Sequence, residues 1–376
     1  MQLSVPKRRT FEAKPRTAQQ SPVEAFFVIV GLVLTVSSVW AGIRFWGTET
    51  LEFSGAFGSD HPISTRLTRD SRKSSPRGLP VLETGSRPST TMARPVVSSG
   101  SLPLLYGTAW KKERTTDLVV QAVVSGFRGI DTACQPKHYR EDLVGAALRK
   151  LREQYSIDRK DLWLQTKFTP LAGQDKNNVP YDPNATLAEQ AAQSLQKSLA
   201  NLGTDRIDSL LLHSPLPTGD QTMEVWRVFE DAVDSGTVGQ LGISNLYDPR
   251  LFHWLHANSR HKPRVLQNRF YRDSGYDKEL RMLCLERGVT YQTFWTLTAN
   301  PHILESRAVA DAIGRLKAAT STEVTPAQVL FKFLIQSGHQ PVTGTTSQLH
   351  MDQDLAAAEL PDLTAEEMGA ITALLN

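Results

Sequence analysis

Residues 126–133 read GFRGIDTA, a short apolar run closing on a carboxylate at Asp131. The same arrangement returns along the chain. LWLQTK (162–167) ends on Lys167, IDSLLLH (207–213) on His213, GQLGISN (239–245) on Ser244 and Asn245, and RVLQN (264–268) carries Gln267 near its end. Helix-length amphipathic segments separate these runs. Short apolar runs alternating with helices predict βαβ units in a parallel sheet, and polar groups gathered at one end of the strands match the active-site face of a (β/α)8 barrel. Five sets of polar side chains would then converge on one mouth.

Working outward, strands are expected at 104–108, 129–133, 162–167, 207–213, 238–244, 264–268, 289–294 and 340–344. Helices are expected near 115–126, 141–154, 187–202, 222–235, 248–259 and 277–288, with one more after each of the last two strands. Eight strand–helix pairs close a barrel, so residues 100–376 are expected to form one α/β domain, a (β/α)8 TIM barrel.

The first 99 residues are written differently. Residues 1–24 form a basic polar tail, residues 25–43 (AFFVIVGLVLTVSSVWAGI) hold no charge, and residues 44–99 are rich in Gly, Ser, Pro and Arg, the composition of a disordered linker. The uncharged run is just long enough to cross a bilayer as a transmembrane helix. Basic residues crowd its N-terminal side, so an inserted segment would keep the tail cytosolic and carry the barrel across the membrane. A chain begun at Met92 would instead be a complete soluble domain. The expectation is a cytoplasmic barrel, membrane-anchored only if 25–43 is inserted, with no sugar on the Asn184-Ala185-Thr186 acceptor.

The net charge of +3 divides unevenly. Residues 1–95 hold 13 Lys/Arg against 7 Asp/Glu, a surplus of +6, which leaves −3 for the rest. The barrel thus lacks the basic face of a nucleic-acid binder. Two cysteines, Cys134 and Cys284, supply neither a disulfide framework nor metal-ligand spacing, and no metal is expected.

The motifs GTAWK (107–111), GIDTA (129–133), LQTK (164–167), DSLLLH (208–213), LGISN (241–245) and TPAQVLFKF (325–333) together resemble the aldo-keto reductase family. That resemblance implies hydride transfer between NADPH, with NADH as a second possibility, and a small-molecule carbonyl substrate. It implies a catalytic tetrad of Tyr139, Lys167, Asp131 and His213, although Asp131 and Tyr139 stand eight residues apart where the family usually has five. Ser244, Asn245 and Gln267 would hold the nicotinamide carboxamide, Phe294 would stack on the ring, and Thr108 and Asp131 would lie near its ribose. A monomer is expected.

The chemistry suits those roles. Hydride reaching a carbonyl carbon leaves charge on oxygen that must be protonated or held by donors. A lysine cation beside the tyrosine is expected to favour the phenolate and lower the phenol pKa, with the aspartate keeping the lysine charged.

After the eighth strand the resemblance thins. The family commonly holds the 2′-phosphate there with a lysine and an arginine, where this chain has Gly344 and His350. Thr345, Thr346 and Ser347 would still donate to a phosphate at a helix start, and Gln353 and Asp354 would reach an adenine. Trp110, Phe168, Tyr271 and Trp295 are the expected substrate walls. A second reading is a non-catalytic cofactor-binding barrel acting as a membrane-associated regulatory subunit, as potassium-channel β-subunits resembling the family do.

Overall fold

In the computed structural model, which describes residues 102–376, eight parallel strands hydrogen-bond in chain order and close into a barrel. They are β1 Leu105–Gly107, β2 Gly129–Asp131, β3 Trp163–Phe168, β4 Ile207–Leu212, β5 Val238–Ser244, β6 Val265–Arg269, β7 Thr290–Phe294 and β8 Gln340–Thr343. Leu105 paired with Val342 closes the ring. The first six helices are α1 Thr115–Ser125, α2 Glu141–Tyr155, α3 Leu187–Leu202, α4 Gly219–Asp234, α5 Pro249–Asn258 and α6 Lys278–Arg287. All match the expected positions to within a few residues.

Three helices, not one, follow β7: α7 Pro301–Leu304, α8 Arg307–Thr320 and α9 Pro326–Gln336. Prolines in the first turn of α7 and α9 and the Ser306 cap on α8 each restart the chain as a new helix. These pieces build a separate apolar cluster that includes Val309, Leu316, Val329 and Leu334. The last helices are α10 Gln348–Glu359 and α11 Ala365–Ala373.

Strand alternation decides which side chains reach the lumen. Gln165 on β3 donates to Gln292 on β7 at 2.7 Å, a contact that non-neighbouring strands make only through the barrel interior. Period-two alternation therefore puts Lys167 inside with Gln165, and Phe294 inside with Gln292. It turns Phe168 outward. Phe168 is buried between barrel and helices, with Tyr181 and Phe229 at 5.6 and 6.3 Å, so it is a core residue and not the expected substrate wall.

The hydrophobic segment 25–43, the linker 44–99 and Met92 lie outside the described residues. Among the described residues no helix is long and apolar enough to cross a membrane.

Helices α2 and α3 cross at Gly145, where an added Cβ would lie 2.0 Å from the Asn201 carbonyl oxygen. Gly145→Ala is expected to destabilise the barrel by about 1–3 kcal/mol or more in urea unfolding, the cost of overpacking. Gly314→Ala, in the open middle of α8, should gain about 0.5–1 kcal/mol.

Candidate active site

The last residue of β2 and the fifth of β3 meet inside the barrel. Lys167 Nζ donates to Asp131 Oδ1 at 2.7 Å and Oδ2 at 2.6 Å, and to the Thr132 carbonyl at 2.9 Å. The lysine side chain has no exposure to solvent. Burial pulls its pKa down, and the Asp131 charge opposes that pull. Asp131 Oδ1 also accepts from Gln165 at 2.8 Å and Gln267 at 3.1 Å. Below it, Gln292 accepts from Gln267 at 2.9 Å and donates to Gln340 at 2.8 Å, while Ser209 donates to Gln165. Amides from four strands thus form a hydrogen-bonded floor, and their donors leave the carboxylate fully partnered in a dry interior.

Tyr139 sits on the loop above β2. Its ring centroid lies 5.5 Å from Lys167 Nζ and 6.0 Å from the His213 ring, which it meets nearly edge-on. The longer spacing from Asp131 is taken up by a compact turn in which the Gln135 carbonyl accepts from His138 and Tyr139, while Gln135 Nε2 ties the turn to the Gly173 carbonyl. The phenol does not behave as expected from its lysine neighbour. Burial, reinforced by the Asp131 charge, pushes its pKa well up. With its charge bridged by both oxygens of Asp131, Lys167 has little net charge left with which to stabilise a phenolate.

His213 follows β4, its backbone N–H bonded to the Phe168 carbonyl and its Nδ1 2.6 Å from the Thr169 hydroxyl. Burial, with help from Lys167 and His138, lowers its pKa to about 3, so the ring is neutral at pH 7.

Ser244, Asn245 and Gln267 lie together at the ends of β5 and β6. Ser244 donates to the Gln267 carbonyl at 2.7 Å, and Asn245, held at a positive φ of 53°, donates to the His213 carbonyl at 2.9 Å. Thr108 is buried and its hydroxyl donates to the Asp131 carbonyl at 3.0 Å, which locks β1 to β2. At the far side, Ser347 caps α10, Thr345 accepts from Tyr106 through its carbonyl, and Gly344, Thr346 and His350 are exposed. Gln353 is half-buried. Asp354 is a correction: it is buried, accepts from Thr343 at 2.6 Å and has its pKa pushed up to about 6, so it faces the sheet and is not placed to meet an adenine.

One cation escaped the sequence reading. Lys111 is buried and its Nζ donates to the Gly344 carbonyl, where the expected lysine after β8 is missing. Burial, with Arg114 nearby, lowers its pKa to about 8, and no carboxylate among the described residues pairs with it. Its place in GTAWK was visible, but the sequence alone could not show that the end of β1 faces the end of β8.

Aromatic groups frame the mouth. Trp110 is 59% exposed and stacks on His138 at 3.9 Å between centroids. Trp295 and Tyr271 flank Arg269, a second residue not foreseen.

Residues 103–376 match the model of the aldo/keto reductase family. The chain is 30% identical over 260 residues to an NAD/NADP-dependent indole-3-acetaldehyde reductase of Schizosaccharomyces pombe, covering 65% of this chain and 80% of that protein. It is 25% identical over 303 residues to an NAD(P)H-dependent D-xylose reductase of Pachysolen tannophilus, covering 73% and 90%. A crystal structure of an aldo/keto reductase from Brucella melitensis shares the fold with a TM-score of 0.59 at 23% identity, covering 73% of this chain and 95% of that one.

Removing the counter-charge should cost more than removing the pair. Asp131→Asn leaves a buried ammonium unpaired and is expected to lose about 3–5 kcal/mol in denaturant unfolding. Asp131→Asn combined with Lys167→Met should recover a substantial part of that loss.

Proposed function

The chain belongs to the aldo/keto reductase family, and on that premise we propose that it reduces aldehydes or ketones to alcohols with a nicotinamide cofactor, NADPH first and NADH as well. The observation that carries this reading is the meeting of Tyr139 and the His213 ring edge, both half-buried, with the buried Lys167–Asp131 pair. The S. pombe and P. tannophilus relatives, both described as using either cofactor, support it. Nothing among the described residues favours the regulatory alternative.

The residues present suit such a cofactor. Ser244, Asn245 and Gln267 offer hydroxyl and amide groups for a carboxamide, Phe294 stands on the same inner face, and the Lys111 ammonium lies before the N-terminus of α10, where a phosphate would be held. A bound nicotinamide cofactor would supply the hydride. Tyr139, kept protonated by burial, acts as the proton donor to the carbonyl oxygen. His213 stays neutral, and in the tautomer whose Nδ1 accepts from Thr169 its Nε2–H is free to orient the same oxygen. Lys167, held by Asp131, sets a fixed group against the Tyr139 ring and helps position the phenol.

Tyr139→Phe is expected to lower kcat for aromatic aldehydes by about 100-fold or more while NADPH affinity, read by fluorescence titration, stays close to that of the parent protein. A phenol raised far above neutrality should also hold the parent kcat, measured at saturating NADPH so that loss of the Lys111 charge near pH 8 does not enter, flat from about pH 6 to pH 9; a fall centred below pH 8 would point to a lowered phenol pKa instead. Lys111→Met should weaken NADPH binding by about 1.5–3 kcal/mol, the worth of a charge-assisted contact. Unchanged affinity would place the phosphates away from Lys111.

A further inference from the structure

We propose that Arg269 recognises a negative charge on the substrate, so that the site favours carbonyl compounds carrying a carboxylate; this rests on the reductase reading above. Arg269 is the last residue of β6, two places beyond Gln267, whose amide lies in the barrel floor. Strand alternation therefore sets it on the same inner face, one layer nearer the mouth. It pairs in register with Phe294 of β7. In a closed ring of eight strands β6 stands opposite β2, which puts Arg269 across the mouth from Asp131 and the Tyr139 loop.

The guanidinium is framed by rings. Its central carbon lies 4.0 Å from the Trp295 centroid, 5.2 Å from that of Tyr271 and 6.0 Å from that of Phe294. The Trp295 ring lies at stacking distance, and a guanidinium stacked on a ring keeps its N–H edge for hydrogen bonds, the geometry that grips a carboxylate bidentately. Among the described residues no acceptor takes any of those bonds. Among the described residues no carboxylate lies within ion-pairing distance of Arg269, and its Nε is buried without an acceptor. Other cations of low exposure do have a partner: Lys167 pairs with Asp131, Lys332 with Asp362 at 3.0 Å, and Arg281 donates to the Tyr276 carbonyl at 2.8 Å; Arg159 also has a buried Nε without an acceptor, but its guanidinium pairs with Asp208 at 2.6 Å, whereas that of Arg269 pairs with no carboxylate among the described residues.

An unpaired buried donor costs free energy that an anionic ligand would recover. A wall needed only for apolar packing would be served by the aromatic residues alone. With Trp110, Tyr271 and Trp295 around it, the ligand that fits is an aromatic or aliphatic aldehyde or ketone whose carboxylate points to the β6 side while its carbonyl lies toward Tyr139.

The test compares 4-carboxybenzaldehyde with methyl 4-formylbenzoate, which differ in charge while presenting the same aldehyde, using the full-length chain with NADPH. The ratio of kcat/KM for acid over ester should be at least about tenfold in the parent and fall by about tenfold or more in Arg269→Gln, chiefly through KM for the acid. Arg269→Lys should keep part of the preference. An equal ratio in parent and Arg269→Gln overturns the proposal, as does a fall in NADPH affinity matching the loss with the acid, which would assign the guanidinium to the cofactor. Should Arg269→Gln fail to fold, the ionic-strength dependence of the parent decides: KM must rise with salt for the acid and not for the ester. If the parent turns over neither compound, the reductase reading fails. Trp fluorescence quenching by 4-carboxybenzaldehyde but not by its ester would then still support the anion site, and no difference between them would remove it.

Discussion

A lysine ammonium with no access to water must keep a counter-charge, and in this barrel the whole site is arranged around that requirement. Asp131 meets Lys167 at 2.6 Å, and neither group can leave without stranding the other. The pair fixes the ends of β2 and β3 relative to each other. Above the pair, burial, reinforced by the Asp131 charge, holds the Tyr139 phenol pKa well up, so the ring stays protonated.

The floor beneath the pair explains why a charged couple is tolerated in the interior. Gln165, Gln267, Gln292 and Gln340 come from β3, β6, β7 and β8 and join side chain to side chain, two of them ending on Asp131. Amides both donate and accept, so such a floor satisfies its own polar groups and still has donors to spare for the carboxylate. It is a rigid base on which Tyr139, His213, Phe294 and Arg269 stand as the next layer toward solvent.

Much of this was legible in the chain because barrel strands display chemistry at their C-terminal ends. Asp131, Lys167 and His213 could be picked out where apolar runs stop, and the helices showed as amphipathic segments between those runs. What escaped depended on parity and on closure. Phe168 adjoins Lys167 in sequence and was expected in the pocket, yet one step along a strand reverses the face. Asp354 was misplaced for the same kind of reason, since which face of α10 meets the sheet is set by packing. Lys111 and Gly344 are 233 residues apart, and only the closure of β1 on β8 makes them neighbours. The raised Tyr139 pKa differs from the expectation because its first cause is burial, with the Asp131 charge second, and sequence shows which charges are near but not how far a ring is withdrawn from water.

Hydride transfer at this layer is tested most directly by following the hydrogen itself. The purified protein would be given an aromatic aldehyde with NADPH deuterated at C4 in one configuration or the other, and the alcohol analysed by mass spectrometry and NMR. In the proposed site Ser244, Asn245 and Gln267 would present one face of the ring to the pocket, so deuterium is expected at the former carbonyl carbon from one labelled form and not from the other. Alcohol carrying no deuterium from either form, or equal amounts from both, would contradict a site built to present one face of the cofactor to Tyr139.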